Sequence, residues 1–201
     1  MRSLRDQKKS DKRERIRRAA FELFVEKGYD ATTTKEVAKR AGVAAGTIFL
    51  YAKDKPDLLF LVMHERLRET VEMALAGVPR PAPLLEQLMH VFRAIFAMYE
   101  EHPDVAGAFV KSLPGADGPN AQAVNAYTFA FLAQIAALIA EGQARGDLAA
   151  DVDPMRAASN IFFLYFGSLL GWLSGFADLE TALDPGLRLS LELQLRGLLP
   201  R

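Results

Sequence analysis

The chain has 201 residues, half of them apolar, with 25 basic and 25 acidic side chains and no cysteine. This excludes a disulfide framework and a thiolate metal site; the three histidines, His64, His90 and His102, lack metal-ligand spacing with carboxylates, and no nucleophile motif or glycine-rich phosphate loop is present, so neither an enzyme nor a bound cofactor is expected. The neutral total hides an asymmetry, since residues 1–60 carry 15 Lys and Arg against 9 Asp and Glu while residues 61–201 carry 10 against 16, which points to nucleic acid at one end only.

The first dozen residues, MRSLRDQKKSDK, lack apolar periodicity and read as a mobile arm. Arg2, Arg5, Lys8, Lys9 and Lys12 in it either follow phosphates or enter a minor groove, or simply solubilise the chain. An amphipathic helix follows, with Ile16, Ala19, Ala20, Leu23 and Phe24 on its apolar side. Thr33 and Glu36 have the capping-box spacing, so a second helix starts there. Val37 and Ala41 share its inner face, and Gly42 ends it in a left-handed turn. Val43 plugs the corner. A third short helix opens near Ala44 or Ala45 and runs to about Tyr51, with Ile48 turned inward. Ala45, Gly46, Thr47, Phe49, Leu50 and Tyr51 then lie on its outer side. Two short helices about a tight turn, preceded by basic residues, are how a protein sets a helix in the DNA major groove.

From Asp54 a long helix runs to about Ala76, with Pro56 tolerated in its first turn. Gly77–Pro83 is a break. Further helices span Leu84 to about Glu100, Pro103 to near Leu113, and 120–145. Another runs from Pro154 to about Phe176, and a last one from Asp184 to Leu199. No segment reads as a strand, so the fold class is all-α. The expected division is a three-helix helix-turn-helix domain over 10–54 and a six-helix body over 55–201. Residues 157–177 carry no charge and are long enough to cross a bilayer. Asn160, Ser159, Ser168 and Ser174 dilute the run and no basic cluster flanks it, so the reading is a buried helix in a protein without a membrane segment. The polar, basic start of the chain shows no signal peptide, so a cytoplasmic location is expected.

Residues 10–60 resemble the N-terminal domain of the TetR family of bacterial transcriptional regulators. The first helix, the Gly28-Tyr29 turn, the Thr33-Thr34 cap, Ala41-Gly42-Val43, Gly46-Thr47, Tyr51, Lys55 and Leu58-Leu59 carry the resemblance. Three positions depart from the family pattern. Ala44 stands where a Ser or Thr often caps the recognition helix, Phe49 replaces a Tyr, and Ala52 replaces a Phe. The resemblance implies that Thr33, Thr34, Lys35, Ala45, Gly46, Thr47, Phe49, Leu50, Tyr51 and Lys55 form the DNA-binding surface. Thr47, Tyr51 and Lys55 would meet phosphate, and Thr33 or Thr34 would hold one at a helix N-terminus. Base reading would fall to Lys35, Ala45 and Leu50.

The resemblance also implies a helical body that binds an effector and pairs two subunits. Met63, His64, Leu67, Phe92, Arg93, Phe96, Phe109, Tyr127, Phe131, Phe162 and Phe166 are the candidate ligand-lining residues, with His64 and Arg93 as polar handles. Their character suits a small apolar or aromatic effector. Leu164, Gly167, Ser168, Gly171, Trp172, Leu187, Leu191 and Leu195, on the last two helices, are the candidate homodimer interface, a four-helix bundle. The expected function is a homodimeric repressor of a palindromic operator, released by its ligand. The alternative is a ligand-independent DNA-binding or architectural protein.

Overall fold

A computed structural model describes residues 3–198, and among these every regular element is helical. α1 spans Leu4–Lys27, α2 Thr34–Ala41, and a 3₁₀ segment, Ala45–Leu50, stands where the recognition helix is expected and is called by that name below. α3 (Lys55–Ala76), α4 (Leu84–Glu100), α5 (Pro103–Ser112), α6 (Pro119–Ala144) and α7 (Pro154–Leu173) follow. The chain ends in α8 (Leu179–Thr181), a π-helical stretch (Ala182–Leu187) and α9 (Arg188–Arg196).

Two of these differ from the sequence expectation. The basic arm is helical from Leu4, capped by Ser3, whose hydroxyl accepts from the Asp6 N–H at 3.2 Å. Charge alone hid this helix, because it has no apolar face to give a period. Arg2 and Leu199 lie outside the described residues. The last helical run starts earlier than Asp184, at Leu179, where the Asp178 carboxylate accepts from the Thr181 N–H at 2.7 Å. Asp184 is then the non-helical kink before Pro185.

The chain divides into two compact units. The first, here the head, holds residues up to Arg66 together with His102–Asn125. It takes in the expected helix-turn-helix region, the start of α3, α5 and the start of α6. Ile16, Leu23, Phe24, Val37, Ile48, Leu58 and Leu59 make its core. Phe60 meets Phe109 edge-on at 5.2 Å, and Phe21 meets His102 the same way. The second unit, the body, holds Leu67–Glu101 and the chain from Ala126 onward. Its core is aromatic and aliphatic: Phe92 stacks on Tyr165 at 4.7 Å, and Phe96 stacks on Trp172 at 5.7 Å. Arg188 ties α9 to α4 through Glu86 at 2.9 Å.

α3 and α6 each contribute residues to both units. Among the described residues one helix, α6, is long and apolar enough to cross a membrane. Phe131, Leu132, Ile135, Leu138 and Ile139 of α6 are buried, so its apolar side is a core face. α7 buries Ala157, Ala158, Ile161, Tyr165 and Leu169 in the same way.

Candidate nucleic-acid interface

The head builds the surface expected to face DNA with directional polar bonds. The Thr33 hydroxyl accepts from the Glu36 N–H at 3.2 Å, and the Glu36 carboxylate accepts from the Thr33 N–H at 2.9 Å. Both arms of the capping box are thus closed. Lys27 of α1 pairs with Glu36, and together with the Thr33 bonds it holds this carboxyl down to about 2. At the other end of α2, Gly42 sits at φ 64°, ψ 43°. The Val43 N–H returns to the Ala38 carbonyl at 2.9 Å, which completes the expected turn.

Arg15 was not singled out by the sequence, yet it fixes that turn. Its guanidinium donates to the carbonyls of Ala41 and Gly42, the latter at 2.9 Å. A cation there satisfies orphan carbonyls and suits the negative end of the α2 dipole. A Cβ on Gly42 would lie 3.1 Å from the same guanidinium. Nothing in the one-dimensional pattern pairs residue 15 with residue 42; only the fold does. Thr32 is a similar case, buried with its hydroxyl donating to the Gly28 carbonyl at 2.8 Å.

The recognition helix follows Ala44, which offers no side-chain cap. Ile48 is fully buried and anchors it, while Phe49 and Leu50 are 58 % and 77 % exposed. Ala45 and Gly46 are exposed, Thr47 and Tyr51 half-buried, and Lys35 stands exposed on α2. Thr34 begins α2, half-buried beside Thr33. The residues expected to face DNA thus share the head's surface, and the exposed side chains on the recognition helix are apolar.

Lys55, expected to meet phosphate, has partners within the chain as well. Its ammonium donates to the carbonyls of Tyr29 at 3.1 Å and Asp30 at 3.0 Å, and sits 4.5 Å from the Tyr29 ring centroid. Two of three ammonium protons are therefore spent on closing the turn between α1 and α2 onto the start of α3. It is first a strut, and at most one proton remains for a phosphate.

A buried carboxylate joins the recognition helix to α6. Asp57 is 2 % exposed. One oxygen accepts from the backbone N–H groups of Asn120 at 2.9 Å and Ala121 at 3.2 Å. The other accepts from the Lys53 N–H at 2.9 Å and the Asn120 side-chain amide at 3.0 Å. The same Asn120 amide donates to the Tyr51 carbonyl at 2.8 Å, at the end of the recognition helix. Asp57 thus caps α6 from another helix, where an anion is favoured. Gly118 makes room, since a Cβ there would fall 2.1 Å from the Asp57 carboxylate. Sequence reading missed Asp57 and Asn120 because 63 residues separate them. A Gly-Pro pair ahead of a helix that lacks its own cap was the available signal.

The expected ligand-lining residues fall in both units. Met63, His64 and Phe109 belong to the head, and Leu67, Phe92, Arg93, Phe96, Tyr127, Phe131, Phe162 and Phe166 to the body. Within the body, Phe92 lies 6.3 Å from Phe131, and Phe162 stacks on Phe166. The Tyr127 hydroxyl donates to the Arg68 carbonyl at 3.3 Å. Arg93 points outward, spending its charge on Asp184 at 2.8 Å, so it is a surface ion pair and not an interior handle. The buried polar groups of the body are others. The Tyr99 and Tyr165 hydroxyls bond to one another, and burial pushes both phenols up. Gln87 is buried, donates to the Pro79 carbonyl at 3.3 Å, and has an Oε1 without a partner among the described residues. These residues were legible only as helix-face members.

Of the expected interface set, Leu187 and Leu191 are fully buried within the chain itself, so they pack its core. Leu164, Ser168, Gly171, Trp172 and Leu195 are half-buried and Gly167 is exposed. The large apolar residues that α7 and α9 leave outside are Met155, Phe163, Leu170, Leu189 and Leu193.

Known proteins fit this geometry. Residues 16–62 match the family of bacterial regulatory proteins called the tetR family. The solved Thermus thermophilus FadR, a TetR family transcriptional repressor in complex with lauroyl-CoA, superposes with a TM-score of 0.71. It is 32 % identical, over 94 % of this chain and 96 % of that one. FadR of Bacillus subtilis in complex with stearoyl-CoA gives 0.71 at 26 % identity, over 92 % of this chain and 98 % of that one. The HTH-type transcriptional repressor BepR of Brucella suis is 27 % identical over 173 residues, 83 % of this chain and 82 % of its own length. The chain belongs to the TetR family of bacterial regulatory proteins and is a ligand-responsive, DNA-binding transcriptional regulator.

Proposed function

We propose that the chain acts in the cytoplasm as a homodimeric repressor that leaves a palindromic operator when its body takes up a long-chain acyl-CoA. The observation that carries the ligand response is the Asp57 junction. One buried carboxylate holds both the start of α6 and, through Asn120, the end of the recognition helix. α6 continues from this junction into the residues of the body. A ligand that shifts α6 therefore works directly on the element that reads DNA. The effector must bind the DNA-free arrangement better than the DNA-bound one, and by linkage the operator weakens the ligand by the same factor.

The ligand class is supported by the two acyl-CoA complexes among the relatives and by the aromatic interior of the body. An acyl chain gains about 0.8 kcal/mol per buried methylene, so chain length is the natural specificity variable. The dimer is supported by the apolar side chains that α7 and α9 leave outside. Phe163, Leu170, Leu189 and Leu193 are 43–71 % exposed in a single chain. A Cβ on Gly167 or Gly171 would meet nothing within 4 Å, leaving room for a second helix.

The test is operator release. The operator is first selected from random duplexes, then titrated with lauroyl-CoA, stearoyl-CoA and free coenzyme A. The two acyl-CoAs should release the protein and coenzyme A should not. Equal operator affinity with and without saturating acyl-CoA would overturn the reading.

A further inference from the structure

The helical arm places Arg5, Lys8, Lys9 and Lys12 at positions i, i+3, i+4 and i+7 of α1, one face of one helix. These cations wall one side of an open groove of about 1090 Å³, and Leu50 and Tyr51 of the recognition helix wall the other. The Tyr51 hydroxyl reaches the Lys9 carbonyl across it at 3.4 Å. We propose that this groove seats backbone phosphates of duplex DNA beside the bases that the recognition helix meets. The inference rests on the DNA-binding reading and adds a second contact surface to it.

These cations differ from those that hold the head together. Arg15, Arg40, Lys53 and Lys55 are engaged with carbonyls or carboxylates and hold the fold together. The four of the groove have no ion-pair partner among the described residues. The groove's one acid, Asp6, accepts from the Ser3 hydroxyl at 2.7 Å. Like charges three and four apart cost an isolated helix about 0.2–0.5 kcal/mol per pair. A polyanion laid along the face reverses that cost and releases counterions as it binds. Duplex DNA is the polyanion favoured, because Leu50 and Tyr51 belong at once to the groove and to the element that meets bases.

The experiment replaces Lys8, Lys9 and Lys12 together with Gln, which has nearly the same helix propensity. Binding to the selected operator and to a scrambled duplex of equal length is measured from low to moderate salt. Each phosphate contact contributes about 0.9 to the slope of log K against log salt, so the slope should fall by about 3 per protomer on both duplexes. The operator-to-scrambled ratio should stay the same, and a hydroxyl-radical footprint should shorten at its edges. An unchanged slope, or a loss confined to the operator, would overturn the proposal. The scrambled duplex keeps the two readings apart: if wild type shows no operator preference, the repressor reading fails, while the groove is still judged by its salt slope.

Discussion

The head and the body both have apolar cores, but they differ in how much their backbone is fixed by directional polar bonds. In the head, named polar groups fix backbone positions one by one: the Thr33–Glu36 box, Arg15 on the Ala41 and Gly42 carbonyls, Lys55 on the Tyr29 and Asp30 carbonyls, and Asp57 on four N–H groups. In the body, large side chains fill space, with Phe92, Tyr165, Phe96 and Trp172 in successive ring contacts. Directional bonds hold a surface to a fixed geometry, which a DNA-reading element needs. Packing of rings is less directional and can rearrange around a guest. The contrast suggests that head variants change DNA affinity, while body variants change stability and ligand response.

The largest effect expected is in the body. Phe92 is fully buried between Tyr165 and Phe131. Phe92→Ala should cost about 3–5 kcal/mol of unfolding free energy in a denaturant titration. Below the unfolding transition, operator affinity should stay within about twofold of wild type and release by acyl-CoA should be impaired. Lost operator affinity with normal release would break the comparison.

Next comes the junction. Asp57→Asn keeps the shape but puts an amide NH₂ where an oxygen accepts from two donors. Leaving two buried donors unsatisfied should cost about 2–4 kcal/mol. Operator affinity should fall while acyl-CoA binding, followed by calorimetry, changes little. Equal losses of both would mean that the junction belongs to the general stability of the chain.

How much of this was readable in one dimension follows the same line. The caps, the Gly42 turn and most helix bounds were legible, because each depends on residues within one or two turns. α4 spans Leu84–Glu100, where the apolar period and flanking prolines place it. The helical arm was not legible, since a fully polar helix has no period in hydrophobicity. Leu187 and Leu191 were assigned to a partner because apolar spacing shows which face is buried and not what buries it. The two carbonyls that Lys55 meets were not legible, because Tyr29 and Asp30 lie 26 and 25 residues away in sequence. Asp57, Asn120 and Arg15 depend on contacts between distant segments. The residues expected to face DNA were therefore named by local pattern, and the contacts that support them were not.

The smallest effect tests the head's capping box. Thr33→Ala removes the hydroxyl that caps α2 and should cost about 1 kcal/mol. Glu36 adds a pH dependence of defined sign. Its carboxyl is held at about 2, chiefly by the Lys27 bond and then by Thr33, against about 4.3 in an unfolded chain. A depressed folded value means that the charged form is stabilised, so its contribution is fully present above about pH 4.3 and is lost as pH falls toward 2. The pair is solvent-exposed, which keeps the effect small. Unfolding midpoints of wild type and Glu36→Gln should therefore differ at pH 6 and converge near pH 2. A difference that persists unchanged at pH 2 would show that the side chain acts through packing, and the capping box would then lose its place among the polar bonds that set the head apart from the body.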